Sequence, residues 1–163
     1  YLDTQVSILD AWNKLLPKLP KRILHADPKI SNFLFDAADE NKIIALLDWD
    51  TLMLGPILYD FGDMVRSYTN MRDEDDPAKG NNFNLDYYKA LEEGFLSVLG
   101  EKLTAEEKAN LSLGAKAVIY IQALRFLTDY LNGDTYYSIQ YENHNLDRTH
   151  SQVNLLKELI NKL

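Results

Sequence analysis

Short apolar runs bounded by polar residues occur in one part of this chain, between residues 23 and 47. Residues 33–35 (FLF) form one run and residues 43–47 (IIALL) form another, with a polar turn over residues 36–42 between them. Two such runs on either side of a turn predict a β-hairpin of two buried strands. Polar residues stand at both ends of these strands, so the hairpin would bring them together.

The rest of the sequence has helical periodicity. Apolar residues recur every three or four positions, as an amphipathic helix requires, and proline or glycine stands at several helix ends. The predicted helices cover residues 2–16, 58–68, 85–99, 104 to about 131 and about 148–163. Residues 73–82 are acidic and lack periodicity, which predicts a loop that is either solvated or a mobile lid. The predicted fold class is therefore mainly α with a small β-hairpin.

The composition fits one soluble globular domain. The chain has 163 residues, of which 46% are hydrophobic and 26% charged, as is usual for a folded domain. The formal net charge of −8 disfavours nucleic acid as a partner. The chain has no cysteine, no apolar run that would span a membrane and no signal-peptide pattern at its start. A cytoplasmic protein without membrane or nucleic-acid partners is expected.

A polar loop precedes the hairpin, and an acidic segment follows it. Residues 25–32 (HADPKISN) have the H-x-D-x-x-x-x-N pattern of a kinase catalytic loop. In that pattern Asp27 is the base that orients an acceptor hydroxyl and takes its proton. Asn32 and Asp48 supply the oxygen ligands that Mg²⁺ prefers. Lys29 lies two residues beyond the base, within reach of a transferring phosphoryl group.

Other residues of this segment have alternative interpretations. Asp50 shares the metal site if the strand continues through residues 48–50, because alternate strand residues face the same side; otherwise it starts the following turn. His25 invites a catalytic role, since imidazole is a common proton-transfer group, but we expect it to pack behind the metal-binding segment as a structural residue. The simplest interpretation of the whole loop is a polar turn that Asp27 caps.

Four segments carry a family resemblance: residues 25–32 (HADPKISN), 47–51 (LDWDT), 58–63 (LYDFGD) and 125–137 (RFLTDYLNGDTYY). They resemble the aminoglycoside phosphotransferase and choline kinase superfamily, which has a protein-kinase-like fold. Within it, the chain is most similar to bacterial N-acetylhexosamine 1-kinases, from about Lys21 to the C-terminus. Ala26 and Pro28 depart from the H-N-D-T-K loop of those kinases.

The resemblance implies a kinase that uses ATP and Mg²⁺ to phosphorylate a sugar hydroxyl, such as that of an N-acetylhexosamine. The residues it implies are Asp27 as base, Lys29 beside it, Asn32 and Asp48 at the metal and nucleotide, Asp50 at the metal, and Arg125 and Tyr136 near the sugar. An aminoglycoside, choline or a related small alcohol is the alternative acceptor.

Spacing alone leaves the acceptor residues open. Arg125 and Asp129 are four residues apart on a helix, a spacing that also suits an ion pair. An arginine fork and the face of Tyr136 nonetheless suit a polyhydroxylated ligand. Asp60 and Asp63 stand at a helix start, where carboxylates are favourable, and a structural role is predicted for both.

No Gly-rich loop and no V-A-I-K lysine precede residues 25–32. Residues 1–163 are therefore expected to be a single domain, the C-terminal lobe of a two-lobed phosphotransferase, without the nucleotide-binding lobe and nearly inert alone. Tyr1, in place of a methionine, suggests a fragment. Two other classes stay open: a degenerate kinase-like binding or scaffold domain, and a metal-dependent hydrolase using Asp27, Asp48 and Asp50.

Overall fold

A computed structural model describes residues 1–163 as six α-helices and four short β-strands. The helices are α1 (Val6–Leu15), α2 (Leu58–Tyr68), α3 (Leu85–Leu99), α4 (Ala105–Ala109), α5 (Leu111–Leu131) and α6 (His144–Lys162). The strands are β1 (Arg22–Leu24), β2 (Phe33–Phe35), β3 (Ile43–Leu46) and β4 (Met53–Gly55). The predicted fold class is confirmed. None of the helices has the length and apolar character needed to cross a membrane.

The strands form two separate antiparallel pairs, β2 with β3 and β1 with β4. The first pair is the predicted hairpin, but the prediction that its strands are buried is wrong. Leu34, Phe35, Ile43 and Ile44 are all exposed, because the hydrophobic core forms among the helices and not on this sheet. The sequence does not predict the second pair, since strands of three residues are too short to show an alternating pattern.

The core is built around α5, which packs against α1, α2 and α6. α2 crosses α5 closely where Gly62 meets Gly114. A Cβ atom on Gly62 would lie 2.7 Å from the Gly114 carbonyl oxygen and 2.6 Å from Val118 Cγ2. Only glycine permits such a close approach of two backbones. This crossing sets the relative position of two helices that both contribute residues to the site described below.

Three of the predicted helices differ in their bounds. The helix predicted over residues 2–16 is instead a 3₁₀ helix over Leu2–Gln5 followed by α1, which ends at Leu15. The helix predicted from residue 104 to about 131 is broken at Asn110, whose side chain donates a hydrogen bond to the Glu106 carbonyl oxygen at 2.8 Å. Such a bond competes with continuation of the helix. α6 begins a turn earlier than predicted, at His144, after Asn143 adopts a left-handed backbone conformation with φ of 67°.

Residues 73–82 contain no helix or strand, in agreement with the loop prediction. The loop is nevertheless tied to α6. Asn154 Nδ2 donates to the Pro77 carbonyl oxygen at 3.1 Å, and Ser151 Oγ donates to the Asp73 carbonyl oxygen at 3.4 Å. These hydrogen bonds attach residues 73–82 to α6 and favour a loop fixed on that helix over a mobile lid.

Candidate active site

Residues 25–32, here called the Asp27 loop, are anchored to α2. Asp60 accepts hydrogen bonds from the backbone N–H groups of His25 and Ala26, both at 2.9 Å. Tyr68 Oη donates to the Pro28 carbonyl oxygen at 2.7 Å. Burial raises the pKa of the Asp60 carboxyl, although the two N–H groups act in the opposite direction. The helix that follows the hairpin thus fixes the shape of the loop that precedes it.

Asn32 is the point where the predicted base and the predicted metal ligands meet. Its buried amide Nδ2 lies 3.1 Å from Asp27 Oδ2 and 3.4 Å from Asp48 Oδ2. Asp48 is exposed, with its backbone in the left-handed region at φ of 67°. Aspartate is one of the few non-glycine residues that adopt this conformation readily. The structure therefore brings Asp27, Asn32 and Asp48 together, as the sequence predicts.

This set of donors fits Mg²⁺. Mg²⁺ is commonly held by one or two carboxylates together with substrate phosphates. Asp48 would supply such a carboxylate, and Asn32 would add an oxygen ligand if its amide turned so that the oxygen replaced Nδ2 beside Asp48. The histidine and acidic side chains form no group of three or more that would hold a metal by themselves. A site of this kind therefore needs the phosphates of a substrate to complete it.

Asp50 is not hydrogen-bonded to Asn32 or Asp48. The chain turns into a short 3₁₀ helix over Trp49–Thr51 directly after Asp48. The strand does not continue, so the condition under which Asp48 and Asp50 share one face is not met. No hydrogen bond of the structure involves the Asp50 side chain, and a metal-binding role for it stays a prediction.

His25 and Lys29 flank the same centre. His25 is buried, with Nε2 2.8 Å from the Leu47 carbonyl oxygen and its ring 5.2 Å from that of Trp49. It therefore lies directly behind the segment that presents Asp48, as expected for a structural residue. Lys29 Nζ donates to Asp27 Oδ2 at 2.6 Å, which places a positive charge beside the predicted base.

A cavity of about 490 Å³ opens beside Asp27 and is called the Asp27 cavity below. Asp27 and Lys29 lie on one side of it, and Arg125 and Tyr136 line it as well. The residues predicted to bind the acceptor thus share one cavity with the predicted base. Tyr137 lines it too, and lining residues that the sequence does not single out include Tyr59, Gln122 and Arg148. Gln122 could have been predicted, because it precedes Arg125 by three residues and therefore lies on the same face of the helix.

The ion pair between Arg125 and Asp129 that the spacing permits does not form. The Arg125 guanidinium carbon lies 5.8 Å from the ring centroid of Tyr136 and 5.5 Å from that of Tyr137. Asp129 is buried and accepts hydrogen bonds from the backbone of residues 135–137 instead. Burial would raise the pKa of the Asp129 carboxyl, but these N–H groups outweigh it and hold that pKa below its usual range.

Asp63 is a buried carboxylate in the lining of the Asp27 cavity. Asp63 Oδ1 accepts a hydrogen bond from Arg66 Nε at 2.8 Å, and Arg66 Nη1 also pairs with Glu74. Burial raises the pKa of the Asp63 carboxyl even though the Arg66 charge opposes it. All three side chains line the Asp27 cavity.

The comparison with known families agrees with this geometry. A family model described as the phosphotransferase enzyme family matches residues 1–94. The matched region includes the Asp27 loop, the hairpin, Asp48 and α2, and it ends before Arg125 and Tyr136. Because the match covers more than half of the chain, the protein belongs to the phosphotransferase enzyme family, a group of kinase-like enzymes.

Proposed function

We propose that this chain is the catalytic and acceptor-binding lobe of an ATP-dependent kinase that phosphorylates a sugar hydroxyl, with an N-acetylhexosamine as the favoured acceptor. One observation carries the proposal. The Asn32 amide lies 3.1 Å from Asp27 and 3.4 Å from Asp48, while Asp27 lines a cavity large enough for a small ligand. This arrangement supports a base, an acceptor site and metal ligands that lie together.

Each residue of the centre has a distinct task. An acceptor hydroxyl in the cavity would donate a hydrogen bond to Asp27. Asp27 would take the proton as the hydroxyl oxygen bonds to the γ-phosphorus of ATP, while the bond from that phosphorus to the bridging oxygen breaks and ADP leaves. Asn32 and Asp48 would hold Mg²⁺, which when bound offsets the negative charge of the ATP phosphates. Lys29, already 2.6 Å from Asp27, would stabilise the charge of the transferring group.

The charges of the Asp27 cavity favour an uncharged sugar over a cationic acceptor. Its carboxylates already pair with Lys29 or Arg66. Two more guanidinium groups, those of Arg125 and Arg148, line the cavity, and neither forms an ion pair with a carboxylate. An aminoglycoside or choline would meet unpaired positive charge there. Hydroxyl and N-acetyl carbonyl oxygens, by contrast, accept hydrogen bonds from guanidinium groups.

A ligand titration tests the acceptor class. N-acetylglucosamine, choline and an aminoglycoside are titrated separately into the 163-residue chain, and binding is followed by NMR and calorimetry. N-acetylglucosamine should bind saturably and shift resonances of the residues that line the cavity. Arg125→Ala should weaken this binding about tenfold, the loss expected from about 1.4 kcal/mol of hydrogen bonding to a charged donor.

The matched control is Lys116→Ala, a change of the same charge on the same helix but outside the cavity lining. It should leave the dissociation constant unchanged. Tighter binding of choline or of the aminoglycoside would replace the proposed acceptor class. A folded chain that binds none of the three would contradict an acceptor site in this cavity.

A further inference from the structure

Residues 132–137, here called the tyrosine loop, bring Tyr136 and Tyr137 to one wall of the Asp27 cavity. The Tyr137 ring packs against that of Phe126, with centroids 4.8 Å apart, and its hydroxyl accepts a hydrogen bond from Gln122 Nε2 at 3.3 Å, but the Tyr136 side chain has no such support. The Tyr136 side chain is 72% exposed. Its ring packs against that of Tyr137, with centroids 4.8 Å apart, and against the Arg125 guanidinium. An aromatic ring with so little buried area gains little from the hydrophobic effect. The position of Tyr136 must therefore be fixed by the backbone.

A single carboxylate fixes that backbone. Asp129, near the end of α5, is only 5% exposed. Its Oδ1 accepts hydrogen bonds from the N–H groups of Thr135 at 3.0 Å and Tyr136 at 2.8 Å, and its Oδ2 accepts one from Tyr137 at 2.9 Å. Asn145 Nδ2, from α6, donates a fourth bond to Oδ2 at 2.9 Å. Three consecutive residues of the wall thus bond to the same side chain.

The turn that follows α5 makes these bonds possible. Gly133 and Asp134 both have left-handed backbones, with φ of 84° and 55°. Successive left-handed residues reverse the chain direction after a helix. The reversal brings the N–H groups of residues 135–137 back to the end of α5, where Asp129 is located. Asp129 does not line the Asp27 cavity itself. It is connected to the lining mainly through the tyrosine loop, and also through Asn145, whose Oδ1 accepts a hydrogen bond from Arg148 Nη1 at 3.1 Å.

We infer that Asp129 is a positioning residue for acceptor binding, which holds the tyrosine loop so that Tyr136 and Tyr137 lie against Arg125 at the cavity. The acceptor part of this inference rests on the proposed function. The placement of the loop rests only on the hydrogen bonds described above.

The test compares Asp129→Asn with Asp134→Asn. Both changes remove one negative charge from the same segment, but Asp134 accepts a side-chain bond from Asn145 alone, and asparagine tolerates its left-handed backbone. An amide in place of the Asp129 carboxylate offers one oxygen to donors that now use two. Hydrogen exchange at residues 135–137 and the dissociation constant for N-acetylglucosamine are measured for each chain.

Asp129→Asn should speed amide exchange at residues 135–137 about tenfold or more, because local opening then breaks fewer bonds. It should weaken N-acetylglucosamine binding about fivefold to tenfold. Asp134→Asn should stay within about twofold of the unchanged chain in both measurements. Gly133→Ala is a second variant, which strains the turn without altering the carboxylate. It should reproduce both effects if Asp129→Asn does not fold.

The outcomes separate this inference from the proposed function. Unchanged exchange at residues 135–137 in a folded Asp129→Asn chain overturns the role of Asp129. Faster exchange with unchanged N-acetylglucosamine binding overturns the link between the loop and the acceptor. An unsubstituted chain that binds none of the tested acceptors contradicts the proposed function, and with it any acceptor-binding role for Asp129.

Discussion

The Asp27 loop and the tyrosine loop are held by the same device, a buried carboxylate that accepts consecutive backbone N–H groups. Asp60 accepts the N–H groups of His25 and Ala26, and Asp129 accepts those of residues 135–137. The pKa values of the two carboxyl groups are nevertheless shifted in opposite directions. Burial dominates at Asp60 and raises its pKa, whereas hydrogen bonds outweigh burial at Asp129 and lower its pKa.

The difference follows from the number of donors and the nearby charges. Asp60 has two N–H donors, and the charge of Asp63 on the same helix raises its pKa further. Asp129 has three N–H donors and the amide of Asn145. A carboxylate that accepts several N–H bonds is stabilised in its charged form. Folding therefore disfavours the charged form of Asp60, which anchors the Asp27 loop. It favours the charged form of Asp129, which anchors the tyrosine loop.

The largest expected effects come from substitutions that distinguish proton transfer at the Asp27 loop from acceptor binding near the tyrosine loop. In a polypeptide that joins this lobe to a nucleotide-binding lobe, Asp27→Asn should lower kcat by about 10²- to 10⁴-fold, because the acceptor loses its base. The acceptor KM should change little. Arg125→Ala, which changes another residue of the cavity lining, should raise the acceptor KM and leave most of kcat. Steady-state phosphorylation of N-acetylglucosamine at saturating ATP measures both constants.

Asp48→Ala and His25→Ala sharpen the same test. Asp48→Ala should abolish measurable turnover, since a proposed Mg²⁺ ligand is lost. His25→Ala should keep some turnover if the chain still folds, because His25 contacts the backbone of Leu47 and not the proposed ligands. Equal and complete loss in both folded variants would contradict these role assignments. A fall in acceptor affinity alone on Asp27→Asn would contradict the separation of the two walls.

The crossing of α2 and α5 sets the distance between the two anchors, because Asp60 is on α2 and Asp129 is on α5. Gly62→Ala would place a methyl group 2.6 Å from Val118 Cγ2 and 2.7 Å from the Gly114 carbonyl oxygen. Overpacking of this kind lowers the free energy of unfolding by about 1–3 kcal/mol. Urea denaturation followed by circular dichroism measures the change.

Gly94→Ala is the matched control for that substitution. Gly94 is also inside a helix, α3, but a Cβ atom there meets no atom within 4 Å. Alanine should raise the free energy of unfolding by about 0.5–1 kcal/mol through its higher helix propensity. If both variants gave the same sign, the close packing of α2 on α5 would be refuted.

The Asp27 loop was predictable from the sequence because its chemistry is local. The spacing of Asp27 and Asn32, and the hairpin that returns the chain to Asp48, bring these side chains together over short stretches. The periodicity over residues 58–68 likewise gives α2 with its observed bounds. In each case the residues that form the sequence pattern are also the residues that make the contact, and they lie within a few dozen positions of one another.

The tyrosine loop was less predictable because its contacts obey no periodic rule. Helix spacing couples Asp129 to Arg125, but the turn at Gly133 gives Asp129 better partners in the backbone of residues 135–137. Backbone donors leave no trace in residue identity, so the pattern could not reveal them. The exposed apolar side chains of β2 and β3 likewise show that apolar composition alone does not reveal what covers a strand.

The smallest expected effect is the pH dependence that the two anchors give to stability. The pKa of Asp129 is lowered by folding, so its contribution is present above the unfolded value of about 3.9 and lost as pH falls through the folded value. The pKa of Asp60 is raised, so its contribution is present below about 3.9 and lost as pH rises through the folded value. Urea midpoints between about pH 3 and 7 should therefore show the unsubstituted chain losing its advantage over Asp129→Asn as the solution is acidified. Over the same range the unsubstituted chain should gain on Asp60→Asn, since only the carboxyl can take up the proton. Parallel curves for the two variants would mean that folding shifts both pKa values in the same direction, which would contradict the contrast between the two anchors.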